Sequence, residues 1–133
     1  MKVALSLDDV WGEVTKGTDY EGAEIAMGCV AVNAAFAEEH PDAVKAFLYE
    51  YEKSVNLVND EKNIDQTADI IAEVGIVAKA PVAKMALPRC NITFKTGDEM
   101  RAEVEGFYKV LFDAQPNSVG GQLPDDNFYY SAG

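Results

Sequence analysis

The sequence predicts an α/β domain, rich in helix, with about three short strands and about five helices. Three observations carry that reading. The start places Val3, Leu5 and Leu7 on one side with Lys2 and Ser6 opposite, the two-residue period of a strand. A continuous apolar run with β-branched residues, Met27-Gly28-Cys29-Val30-Ala31-Val32, suits a strand buried on both faces of a sheet covered by helices. Farther on, Val44, Phe47, Leu48, Tyr51, Val55 and Val58 recur every three or four residues, the spacing of an amphipathic helix.

The elements follow in chain order. After the first strand, Val10, Trp11 and Val14 stand at helical spacing over residues 8–15, with acids at the front, where the helix dipole favours them. Residues 16–24 mix Gly17, Asp19 and Gly22 with charges and read as a loop. The apolar run to Asn33 is the second strand. A helical turn over 34–39 leads to His40-Pro41, and proline at the first helical position sacrifices only an amide that was already unpaired. The long helix breaks at 59–63, and Ile64, Ala68, Ile71, Ala72 and Val74 mark another that ends at Gly75 as a C-terminal cap. Residues 78–87 form an alanine-rich helix stopped by Pro88, and Asn91-Ile92-Thr93-Phe94 is the third extended piece. Thr96 and Glu99 have the spacing of a capping box. The helix it opens carries Met100, Val104, Phe107, Tyr108, Leu111 and Phe112, and the tail beyond is turn-rich, then aromatic. Three strands leave sheet edges in search of partners, so the chain reads as part of an α/β domain rather than a comfortable whole.

Composition narrows the function. The chain has 133 residues, a prior for one domain. A hydrophobic fraction of 48% argues for a packed globule rather than a disordered acidic chain. A formal net charge of −12 opposes phosphate backbones and anionic lipid, which excludes nucleic acid and the membrane surface as default partners. No apolar run is long enough for membrane insertion, and the segment from Met1 to Asp9 lacks the apolar stretch of an export signal. Cys29 and Cys90 are too few for a disulfide scaffold or a zinc knuckle. Bridged, they would close a loop of about 60 residues worth about 4 kcal/mol in the chain-entropy model; unbridged, they are two separate thiols.

Chemistry is nearly absent from the residue pattern. The one histidine, His40, sits at a helix entrance and reads as a surface or capping residue, so no metal site is expected. Asp8, Asp9 and Glu13 read as solvated carboxylates along a helix, and Asp125-Asp126-Asn127 as a turn without the alternating ligands of a calcium loop. Cys90 beside Arg89 has a route to a lowered thiol pKa but no histidine in a pairing pattern. Gly120-Gly121 lacks the Lys-Ser or Lys-Thr of a phosphate loop. Trp11 and the aromatic tail Phe128-Tyr129-Tyr130 read as packing rather than as stacking platforms. Neither an enzyme nor a cofactor is expected.

Four segments in order resemble a known family. They are Met27-Gly28-Cys29-Val30-Ala31-Val32; Phe36-Ala37-Glu38-Glu39-His40-Pro41-Asp42-Ala43-Val44 with the helix that follows; Leu87-Pro88-Arg89-Cys90-Asn91-Ile92; and the ending from Gly120 to Tyr130. Together they resemble the solute-binding proteins of ABC transporters, of the nitrate, sulfonate and taurine type related to thiamine-pyrimidine binding proteins. Family members are about twice as long or more, with a ligand held between two α/β lobes that close about a hinge.

The resemblance therefore implies the C-terminal portion of a periplasmic-binding-protein-like (type II) fold, a single partial domain over residues 1–133. Residues 1–25 would end one lobe and connect it. Residues 26–133 would supply the hinge strand and the C-terminal helical part of the other. The implied function is non-catalytic: the full-length parent captures a small solute such as a sulfonate, nitrate or pyrimidine and docks on ABC permease subunits. The parent would be a lipoprotein or other protein at the cell surface, outside the cell or in the periplasm. The implied ligand-binding candidates are Met27, Gly28 and Cys29, followed by Arg89 and Asn91. Beside this stand a packing or bulge role for Gly28 and a helix-end ion pair for Arg89. The competing reading is a stand-alone interaction domain that forms a homo-oligomer through its open sheet edge.

Overall fold

The computed structural model describes residues 4–131. Of these, 64% are helical, and no strand or sheet occurs among them. The α/β expectation is therefore corrected: the described chain is helical, joined by irregular segments. The first expected strand lies partly outside the described residues; Ala4 to Ser6 are irregular and exposed, and Leu7 already opens a helix. The other two expected strands, around 27–33 and 91–94, run without bend or turn but pair with nothing that would make them a ladder. The physical reason is that β-propensity describes a side-chain fit to a pleated, half-buried surface. Without a neighbouring strand to supply that surface, the same residues remain irregular chain.

The helices fall where the periodicity puts them. They are α1 (Leu7–Thr15), α2 (Ala34–Glu39), α3 (Pro41–Asn59), α4 (Ile64–Glu73), α5 (Ala80–Ala86) and α6 (Gly97–Ala114), with short 3₁₀ turns at Glu61–Asn63, Leu87–Arg89, Pro116–Val119 and Asp126–Phe128. Their ends follow elementary capping chemistry. The Ser6 hydroxyl accepts from the Asp9 amide at the start of α1, and Asn33 Oδ1 accepts from the Phe36 amide at the start of α2. Pro41 opens α3. Gly75, at φ +80°, takes the left-handed turn just past α4. The capping box at α6 does not close. Thr96 occupies the N-cap, but its side chain makes no capping bond, and Gly97 enters the helix at φ +59°. Glu99 lies instead 3.8 Å from Lys95 Nζ.

The chain divides into two compact units, Met1–Ala31 with Lys95–Gly133, and Val32–Phe94. In the contiguous unit, α4 packs on α5, and α3 adjoins α4. Its buried residues are Val44 and Val55 from α3, Thr67 and Ala68 from α4, and Ala83 from α5. Small side chains at Ala68 and Ala83 let helices approach closely. Among the described residues of the discontinuous unit only Thr15 and Ala23 are buried, and α6 turns its stripe of Met100, Val104, Phe107, Tyr108, Leu111 and Phe112 to partly covered positions. Gly106 has a specific task there, because a Cβ at that position would lie 3.0 Å from Ala23 Cβ.

The hydrophobic core is thin. No described side chain is wholly sealed from solvent. The chain exposes 10286 Å². Even two separate globules of half this mass would be expected to expose only roughly 8,200 Å² in total. Among the described residues, no helix is long and apolar enough to cross a membrane.

Candidate functional site

The segment that carries three of the five candidate residues begins at a fixed point. Gly22, at φ +87°, turns the chain into Ala23, whose carbonyl accepts a 2.7 Å hydrogen bond from Trp11 Nε1. From Glu24 the chain runs unbent to Asn33, which caps α2. Between these anchors, Ile25-Ala26-Met27-Gly28-Cys29-Val30-Ala31-Val32 contains no charge, and all but Ile25 are exposed. Met27 is 86% exposed and Val30 53%. Cys29 is an exposed free thiol. A Cβ at Gly28 would meet nothing within 4 Å, so neither close packing nor a left-handed bulge requires glycine there.

Arg89 and Asn91 belong to the contiguous unit, whereas Met27, Gly28 and Cys29 belong to the other. Arg89 ends the 3₁₀ turn after α5 and is exposed; none of the ion pairs among the described residues includes it, so the helix-end pairing is not made. Cys90 follows as a second exposed free thiol, 3.3 Å from the Ala86 carbonyl, so the two cysteines are not bridged. Asn91 stands at φ +47°, the left-handed conformation that Asn tolerates better than most residues, and it redirects the chain toward Phe94. There the Ile92 carbonyl accepts from Asn59 Nδ2 at 2.8 Å.

Three polar clusters escaped the sequence reading, all in the discontinuous unit. Tyr20 hydroxyl and Lys109 Nζ both donate to Asp113 Oδ2, at 2.7 and 2.8 Å, and Lys109 lies over the Tyr20 ring. The two donors hold the Asp113 carboxyl below its ordinary range, Lys109 more than Tyr20, and the carboxylate holds the Tyr20 hydroxyl above its own. Lys95 is paired with Glu103 and lies 3.3 Å from Glu24; its ammonium is raised chiefly by the bond to Glu103. Arg101 binds Asp126 at 2.5 Å and Glu105 at 2.7 Å, with its guanidinium over the Tyr129 ring. Burial, more than the nearby Glu105, raises the Tyr129 hydroxyl.

These clusters bind loop to helix. Trp11 likewise packs, edge-on to Phe107 with centroids 5.8 Å apart. His40 is exposed, with its ring 4.9 Å from Phe36, and Asp125 caps the last 3₁₀ turn through the Asn127 amide. Each unit carries a small groove among its described residues. One of 270 Å³ lies along residues 19–23, Ala102, Glu103 and Gly106; one of 330 Å³ lies between Asp65, Ala68 and Asp69 of α4 and Ala80, Pro81 and Lys84 of α5. The Lys84–Asp65 ion pair lines the second. Among the described residues, no group of three His, Cys, Asp or Glu side chains is placed to hold a metal ion. Comparison with family models, curated proteins and solved structures gives no match for this chain.

Proposed function

We propose that this chain is a non-catalytic, C-terminal segment of the solute-binding component of an ABC importer, of the nitrate, sulfonate and taurine type. The observation that carries the reading is the charge-free run at residues 25–32, exposed from Ala26 onward, in a chain whose net charge is −12. Apolar surface kept together and free of charge marks contact with further protein. In this reading the further protein is the remainder of the same parent, which covers the run and completes a cleft for a small solute outside the cell or in the periplasm. The order of the four family-like segments supports the same assignment.

Met27, Gly28 and Cys29 are the first residues of this chain to approach that cleft. Arg89 and Asn91 come next, because a guanidinium and an amide offer the N–H donors that a sulfonate, nitrate or pyrimidine carbonyl accepts. Permease subunits are the protein partners.

The coding sequence upstream of Met1 tests the assignment. An open frame encoding a secretion or lipoprotein signal and another lobe is the expected result; a stop codon directly upstream of a start site contradicts it. Calorimetric titration of the chain with sulfonates, nitrate and pyrimidines is expected to give no tight heat signal, and submicromolar binding would overturn the incomplete cleft. The alternative, a self-associating interaction domain, draws on the same run, and a defined dimer in light scattering would favour it.

A further inference from the structure

We draw no further inference here: the strongest candidate, the exposed charge-free run from Ile25 to Val32 with its free thiol at Cys29, is an apolar surface for which nothing in the structure shows what covers it.

Discussion

The two units solve the same problem, a small core, by different means. The contiguous unit, Val32–Phe94, packs helix on helix through Val44, Val55, Ala68 and Ala83. The discontinuous unit joins residues 1–31 to 95–133 with little buried apolar side chain. It relies on Trp11 against Phe107, on Trp11 bonded to the Ala23 carbonyl, on the Tyr20 hydroxyl bonded to Asp113, and on ion pairs of Lys95 with Glu24 and of Arg101 with Asp126. Dispersion and hydrophobic transfer depend little on salt, whereas exposed ion pairs are screened and individually weak. The lesson is that contiguity matters. Neighbouring helices close their faces with short connections, while segments some 70 to 90 residues apart are pinned here by discrete polar contacts.

That contrast can be broken from either side. Trp11→Ala removes the aromatic contact and the indole donor together and should cost about 3 kcal/mol, within the usual range for such truncations. Val55→Ala should cost about 2 kcal/mol in the other unit. Amide exchange resolves the two: the first variant should speed exchange in α6 and spare α4, and the second should do the reverse. Equal acceleration in both units by either variant would mean that they unfold as one.

A smaller effect has the opposite sign. Thr67 is 4% exposed, and its hydroxyl has no hydrogen-bond partner among the described residues. An unpaired buried hydroxyl is a cost that its packing does not remove, so Thr67→Val, of nearly the same shape, should stabilise by about 1 kcal/mol. A higher urea midpoint at constant slope is the expected readout. A lower midpoint would mean that the hydroxyl is satisfied by water.

The smallest effect concerns pH. Folding lowers the Asp113 carboxyl, first through Lys109 and then through Tyr20, so the unfolded chain takes up that proton before the folded one. The contribution is therefore complete above the ordinary aspartate range and fades as pH falls through the lower folded-state value. Carboxyl chemical shifts followed from pH 6 to 2 should place the Asp113 midpoint below the ordinary aspartate range. In Asp113→Asn, this part of the acid-dependent loss of thermal stability should vanish. An ordinary midpoint for Asp113 would mean that the clip does not persist in solution.

Much of the helical content was legible in the sequence. The α3 stripe places Val44, Leu48, Val55 and Val58 inward, and Gly75 ends α4 in the conformation that its lack of a Cβ permits. Phe47 and Tyr51 fit the same stripe yet stay half exposed, stacked on each other at 5.8 Å, because periodicity assigns a face without saying how far its cover extends. The sheet was misread for a related reason. The run at Met27–Val32 has strand chemistry, but a strand is a property of pairs, and among the described residues no strand pairs with it.

The candidate site was legible only as residue types. The sequence offers Arg89 and Asn91 as donors, and Asn after a helix end is the signal that could have marked the left-handed turn at Asn91. The contacts of Tyr20 with Asp113 and of Lys95 with Glu24 join residues 93 and 71 positions apart, and no local pattern encodes such pairings.

The central proposal is that residues 26–32, exposed in this chain, are covered by other parts of a larger solute-binding protein. The direct measurement is amide hydrogen exchange over 24–33, made on the chain alone and on the chain extended by any polypeptide encoded upstream of it. Unpaired, exposed amides should exchange at nearly the free rate in the chain alone and at least about 100-fold more slowly in the extended protein, as for amides protected within a cooperative fold. Equal, fast exchange in both would contradict the account.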